Sequence, residues 1–104
     1  MQSVDPIIGK FRAELAQMYG ERIERVVLFG SRARGDAQGD SDYDIAVFLY
    51  GIADRDEEVD RLADIQVRMM DQASIFIDAM PFPAGAWADR TTFMHELRRE
   101  GLDL

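Results

Sequence analysis

The sequence of 104 residues has no cysteine, one histidine and one lysine. Without thiols the chain has no disulfide framework and no thiolate zinc site, which excludes zinc-finger modules and fits a reducing compartment. No apolar run approaches the length that spans a membrane, and residues 1–10 lack the basic start and long apolar core of a signal peptide. We therefore expect a cytoplasmic protein with no membrane association.

Positive charge is also scarce. Twenty acidic residues against twelve basic ones give a formal net charge of -8, which would repel a free polyanion at long range, so we expect no general nucleic-acid binding. The basic residues are arginines apart from Lys10, and arginine grips phosphate or carboxylate in a two-pronged fashion.

The composition is that of an ordered domain, with 47% hydrophobic residues, three prolines and no low-complexity tract. We predict one domain over residues 1–104, which is too short to include a separate substrate-binding lobe. That shortage favours a partner protein or an oligomer.

Apolar periodicity and capping residues predict the order helix, strand, strand, helix, strand, helix, typical of a small α/β (α+β) domain. The predicted helices run from Pro6 to near Gly20, from Asp54 to near Ala73 and from Thr92 to Glu100. The predicted strands are Val26–Phe29, Ile45–Leu49 and Ser74–Met80, followed by an irregular loop from Pro81 to Trp87. That loop could cover a site, dock a partner or pack against the sheet edge.

The most informative stretch joins the first two strands. Gly30-Ser31 is followed after ten residues by Asp42-Tyr43-Asp44. Residues two apart on a strand share a face with Cα atoms roughly 6 to 7 Å apart, so Asp42 and Asp44 should project together. Such carboxylates repel unless a cation lies between them, and oxygen-only ligands favour Mg²⁺ or Mn²⁺, with two ions about 3.5 to 4 Å apart in a two-metal site.

Asp78 is the best third carboxylate, because it interrupts an apolar strand in which an unpaired buried charge would be costly. On an adjacent strand it could bind one ion and take a proton from an attacking hydroxyl.

Four residues directly after the first predicted strand are suited to binding phosphate. Gly30 lets the backbone approach a ligand closely, and the N-H and hydroxyl of Ser31 can bind phosphate oxygens. Arg32 and Arg34 either neutralise phosphate charge or form salt bridges in the loop.

Together, Gly30-Ser31, Asp42-x-Asp44 and the later Asp78 resemble the nucleotidyltransferases of the DNA polymerase beta superfamily, and the short chain is similar to the minimal (MNT) branch that includes MntA-like antitoxins. The resemblance implies a small mixed sheet with helices packed on one face. It also implies Mg²⁺ held by Asp42, Asp44 and Asp78, and a triphosphate held at Gly30 and Ser31. The implied reaction moves a nucleoside monophosphate, most simply AMP from ATP, to a hydroxyl of a partner protein.

By the same resemblance, the partner is a HEPN-domain ribonuclease toxin. Two alternatives stay open: a non-catalytic module that neutralises its partner by complex formation, and a nucleotidyltransferase acting on a small molecule. A calcium EF-hand and a P-loop are excluded, because Ile45 and Gly51 stand where an EF-hand needs glycine and glutamate, and Asp36-Ala37 where a P-loop needs lysine and a hydroxyl residue. His95 is expected to be solvated.

Overall fold

The computed structural model describes residues 6–35 and 42–104, and it confirms the predicted mixed α/β fold. No described helix is both long enough and apolar enough to cross a membrane. The regular elements are, in chain order, α1 (Pro6–Tyr19), a 3-10 turn (Gly20–Arg22), β1 (Ile23–Phe29), α2 (Ser31–Arg34), β2 (Tyr43–Leu49), α3 (Arg55–Ala73), β3 (Ile77–Pro83), a second 3-10 turn (Ala86–Ala88), α4 (Thr92–Glu100) and β4 (Leu102–Asp103).

The three predicted helices form close to their expected bounds, and capping residues fix the start of two of them. The Asp54 carboxylate accepts a hydrogen bond from the Asp56 backbone N-H at 2.9 Å and caps α3. The Thr91 hydroxyl accepts from the Met94 N-H at 3.1 Å and caps α4. Local side-chain chemistry therefore determines where α3 and α4 begin.

The sheet has the strand order β3-β2-β1-β4. β1 is antiparallel to both β2 and β4, whereas β2 and β3 are parallel. β2 lies inside the sheet and is buried from Ile45 to Leu49, as its continuous apolar sequence predicts.

Helices pack on both faces of the sheet. On one face, α1 and α3 pack against the sheet and enclose a core that includes Val26, Leu28 and Ile45. The alternate strand residues Val27, Ala46 and Phe48 form a second buried cluster with Met94 and Leu97 of α4. The expectation of helices packed on one face therefore describes α1 and α3, but it is wrong for α4, because β1 and β2 are apolar on both faces and need cover on both.

The strand bounds also differ from the sequence prediction, since β1 begins at Ile23 and β2 at Tyr43, earlier than the apolar runs alone indicate. β3 begins at Ile77 and continues through Pro81 to Pro83, so the first part of the predicted loop is strand. Prolines are tolerated here because β3 is an edge strand. Sequence patterns also failed to predict β4, since two residues are too short for a periodicity.

Candidate active site

The central feature of the candidate site is a row of three residues across the sheet. In the strand register, Asp44 of β2 lies opposite Phe29 of β1 on one side and Asp78 of β3 on the other. These three residues lie on the face of the sheet that packs against α4. The next residues along β2 and β3, Ile45 and Ala79, belong to the core on the opposite face. The topology thus brings Asp44 and Asp78, 34 residues apart in sequence, to neighbouring positions on one surface.

Gly30 lies directly against Asp44. A Cβ atom at position 30 would stand 2.5 Å from the Asp44 Oδ2, and Gly30 has φ 74° and ψ -157°, a conformation essentially restricted to glycine. Its carbonyl accepts hydrogen bonds of 3.1 Å from the N-H groups of Ala33 and Arg34, which closes the turn into α2. Position 30 therefore requires glycine for two reasons: its backbone conformation and the space that the Asp44 carboxylate occupies.

The electrostatics of Asp44 are those of a crowded carboxylate. Its half-buried position raises its pKa above the ordinary aspartate value, and the negative charges of Asp78 and then Asp42 raise it further, against an opposing effect of Arg34. Two like charges thus act on Asp44, and a divalent cation would relieve that repulsion. The donor set of carboxylate oxygens suits a hard cation such as Mg²⁺.

Asp42 is exposed and immediately precedes β2. Residues 36–41, which lie within the motif, fall outside the described residues. Among the side chains of residues 6–35 and 42–104, no three carboxylates or imidazoles converge closely enough to hold a metal ion as they stand. The arrangement is a set of neighbouring oxygen donors whose mutual charge disfavours closer approach.

Asp78 occupies the predicted position for a different reason from the one that singled it out. It is exposed, so the premise of a buried charge is wrong. β3 is an edge strand, and the buried cluster on this face is built on β1, β2 and α4. Asp78 therefore needs no partner for its stability and lies open to solvent beside Asp44.

Ser31, Arg32 and Arg34 all lie on α2, next to Gly30. The Ser31 carbonyl accepts a hydrogen bond from the Gly35 N-H at 3.0 Å, and Gly35 ends the helix with φ 84°. The guanidinium of Arg32 stacks over the ring of Tyr43 at 4.3 Å from its centroid. That contact folds Arg32 back toward β2.

Arg34 forms a contact that sequence analysis missed. Its Nη1 lies 3.9 Å from the Glu100 Oε1 at the end of α4, while its charge also acts on Asp44. Arg34, Glu100, Phe29 and Gly30 line a cavity of about 270 Å³ beside the aspartates. No short-range signal links residues 34 and 100, since their proximity depends on how α4 crosses the sheet.

The remaining sequence expectations concern the region after β3. His95 is exposed, as predicted. Phe82 and Trp87 contact the ring of Phe48, with centroid distances of 5.4 and 5.9 Å, and Arg25 stacks over Trp87. These aromatics pack on the face of the sheet, at the central strand β2, whereas the packing alternative considered for this segment was the sheet edge.

Comparison with known proteins gives a family match over most of the chain. The model of the nucleotidyltransferase domain family matches residues 8–95. A candidate protein adenylyltransferase of Methanocaldococcus jannaschii is 37% identical over 43 residues, which are 41% of this chain and 43% of that protein. The match therefore spans less than half the length of that relative.

Solved structures share the fold at low sequence identity. A chain of a toxin-antitoxin complex with AMP-PNP superposes with a TM-score of 0.62 and 19% identity over 90% of this chain and 69% of that chain. A nucleotidyltransferase candidate from Sulfolobus solfataricus gives 0.58 and 23% over 94% and 76%. A structure of a tri-AMPylated Shewanella oneidensis HEPN toxin with its MNT antitoxin gives 0.53 and 15% over 91% and 69%.

Proposed function

Because the chain belongs to the nucleotidyltransferase domain family, we propose that it transfers a nucleoside monophosphate, AMP from ATP, to a hydroxyl of a partner protein. The observation that carries the proposal is the close approach of Gly30 to Asp44, with Asp78 at the adjacent register position. A backbone open to phosphate lies there beside carboxylates that need a cation, which is the combination that a metal-nucleotide complex requires.

Asp42, Asp44 and Asp78 would hold Mg²⁺, with Mn²⁺ as a substitute. When bound, the metal supplies neutralisation of triphosphate charge and of the charge that develops on the leaving group. The raised pKa of Asp44 supports this assignment, since it reflects in part a repulsion by Asp78 and Asp42 that a cation would cancel.

The chain's own groups then have separate tasks. The backbone at Gly30 and the N-H and hydroxyl of Ser31 hold the triphosphate, and Arg34 contributes positive charge beside it. Asp78 accepts the proton of the acceptor hydroxyl, whose oxygen forms a bond to the α-phosphorus. The bond from that phosphorus to the bridging oxygen breaks in line, and pyrophosphate leaves with the electron pair.

The partner that we propose is a HEPN-domain toxin. Among proteins with this fold, one is an MNT antitoxin bound to an AMPylated HEPN toxin, and another comes from a toxin-antitoxin complex with AMP-PNP. The partial relative is a candidate protein adenylyltransferase. These neighbours support a protein acceptor and adenine as the base.

The test is transfer of label from α-labelled ATP, with Mg²⁺, to the protein that the adjacent gene encodes. We expect the parent to label the partner and the double variant Asp42→Asn with Asp44→Asn to lose at least about 1,000-fold in rate, because it removes charge stabilisation in the transition state. Asp71→Asn removes one exposed carboxylate from the end of α3 and is the matched control, with an unchanged rate.

Two outcomes would redirect the proposal. If the double variant neutralised the toxin as well as the parent did, complex formation rather than transfer would be the physiological activity. If no protein were labelled but a small hydroxyl compound were, the substrate class would be wrong and the small-molecule alternative correct.

A further inference from the structure

An apolar groove begins beside the candidate site and runs away from it between β3 and α4. Its volume is about 540 Å³, and its lining includes the apolar side chains of Met80, Phe82, Phe93 and Met94 as well as two charged residues, Arg55 and Asp89. Met80 and Phe82 share the face of Asp78, because successive residues of β3 alternate between the two faces. The groove therefore follows β3 from Met80 to Pro83, and its end lies about four residues of strand, roughly 13 Å, beyond Asp78.

The open edge of β3 cannot accept another strand in place of this groove. The Ala79 N-H donates to the Gln66 Oε1 at 3.1 Å, so residues 79, 81 and 83 direct their backbone groups away from β2. Of these, Pro81 and Pro83 have no N-H and Ala79 has already used its own. A polypeptide that reaches Asp78 along this side is thus directed onto the face of the sheet, not its edge.

The far end of the groove is basic. Thr91 lines both the groove and an adjoining depression of about 470 Å³ formed with Arg90, His95 and Arg98. Arg98 donates to the backbone carbonyls of Trp87 and Asp89, which are neutral groups. Within residues 6–35 and 42–104, neither Arg90 nor Arg98 forms an ion pair with a carboxylate. Asp89 also lines the groove, but the other charged residues of the groove and the depression, Arg55, Arg90 and Arg98, are basic in a chain of net charge -8.

We propose that this groove binds the acceptor polypeptide, with an apolar side chain next to the modified hydroxyl and acidic residues beyond it, at Arg90. The proposal rests on the nucleotidyltransferase function proposed above and specifies its acceptor. Asp78 lies two residues before Met80 on the same face, the lining is mostly apolar, and the arginines at its end outnumber Asp89 and are complementary to a carboxylate. A nucleic acid fits less well, because Arg55 is the one cation among the described residues that line the groove and the chain as a whole is acidic.

Direct binding of fluorescein-labelled peptides tests the groove without requiring transfer. Each peptide of about ten residues carries one tyrosine, a leucine two positions away, and either Glu-Glu or Lys-Lys about four residues from the tyrosine, matching the groove length. Both sequence directions are made. Tyrosine is chosen because its hydroxyl stands farthest from the backbone. Fluorescence anisotropy gives Kd, and thermal melts verify that each variant is folded.

Two charge variants isolate position from net charge. Arg90→Glu and Lys10→Glu change the net charge equally, but Lys10 is exposed on α1, on the opposite side of the sheet. We expect Arg90→Glu to raise the Kd of the Glu-Glu peptide by about three- to tenfold and to lower the Kd of the Lys-Lys peptide. Both changes in Kd should become smaller at high salt. Lys10→Glu should change the Kd of each peptide by less than about twofold.

A second pair tests the apolar section. Met80→Glu places a charge in the groove, whereas Val67→Glu places one on the exposed surface of α3, where Val67 is 59% exposed. We expect Met80→Glu to raise the Kd of both peptides by about tenfold or more and Val67→Glu to leave both Kd values unchanged. With the partner protein as acceptor, Met80→Glu should raise KM while the Kd for Mg-ATP stays constant.

The groove assignment is overturned if neither peptide binds the parent in either direction, if Arg90→Glu behaves like Lys10→Glu, or if Met80→Glu behaves like Val67→Glu. Tighter binding of a single-stranded RNA oligonucleotide that Arg90→Glu abolishes would assign the basic end to nucleic acid and overturn it too. Peptide binding without any transfer would contradict the proposed function alone. Transfer to the partner that none of these variants affects would contradict the groove alone.

Discussion

At the scale of single residues, Asp44 and Gly30 form one unit. The glycine leaves the space that the Asp44 carboxylate occupies, and its backbone conformation is one that other residues rarely adopt. The pair explains why a glycine stands at the end of β1, independently of any family.

Gly30→Ala tests that unit. The new Cβ would force the Asp44 carboxylate to move, and a shift of about 1 Å in a catalytic group costs about 100-fold in rate. Gly51→Ala is the control, because Gly51 also has a positive φ, 69°, but a Cβ added there would meet no atom within 4 Å. Both variants should lose about 1–3 kcal/mol of stability from backbone strain, and only Gly30→Ala should lose transfer activity. Equal activity losses would contradict a specific role for the Gly30 contact.

The raised pKa of Asp44 predicts a pH-dependent stability. The folded state binds this proton more readily than the unfolded state, so the stability associated with Asp44 is present below its unfolded pKa and is lost as pH rises through its folded pKa. In a chelator, Asp44→Asn should therefore have a higher Tm than the parent near neutral pH. The difference should vanish below about pH 4, where the Asp44 carboxyl is protonated in the folded parent. A variant less stable than the parent at pH 7 would show that burial and repulsion do not dominate at Asp44.

At the scale of elements, a buried charge cluster joins three segments. Glu58 of α3 is only 2% exposed and accepts hydrogen bonds from Arg22, which precedes β1, and from Arg61 at 3.0 Å. Arg22 also donates to the carbonyl of Tyr50 at 3.1 Å, just after β2. Burial raises the pKa of Glu58, but the hydrogen bonds from Arg22 and Arg61 outweigh it, so the net pKa is lowered.

Glu58→Gln should destabilise the fold by about 1–3 kcal/mol near neutral pH, because a buried carboxylate with two charged donors is lost. A lowered pKa means that this stability is present above the unfolded pKa and disappears as pH falls through the folded one. The gap between variant and parent in urea unfolding should thus narrow below about pH 4. Glu57→Gln, which is 60% exposed and 4.0 Å from Arg61, should change stability by less than about 0.5 kcal/mol. Equal effects of the two variants would remove the buried cluster as a stabilising feature.

The end of β3, which lies at Pro83 and not at Met80 as predicted, is also decided at the scale of elements. Two prolines and an aspartate argue against a buried strand, and the prolines ended the predicted strand at Met80. They are compatible with an edge strand, whose outward N-H groups need no partner within the sheet. Edge or centre is a property of the assembled sheet, which periodicity along one segment does not contain.

At the scale of the whole molecule, the sheet separates two environments. The face with α1 and α3 is buried core, whereas the face with α4 carries Asp44, Asp78 and the apolar groove. α4 covers only part of that face, which leaves Asp78 exposed and lets Glu100 reach Arg34. The candidate site therefore lies on the part of this face that α4 leaves uncovered.

The sequence by itself determined the helices, the buried strand β2 and the positions of Gly30, Asp42, Asp44 and Asp78 as candidates, because capping, periodicity and motif spacing are local properties. Tertiary structure decided what no local pattern contains: which face α4 covers, that β3 is an edge, and that Glu100 pairs with Arg34. It also decided where Asp78 lies, since strand register and not burial places it beside Asp44. The physical reason is that burial, register and charge proximity depend on how segments distant in sequence pack together.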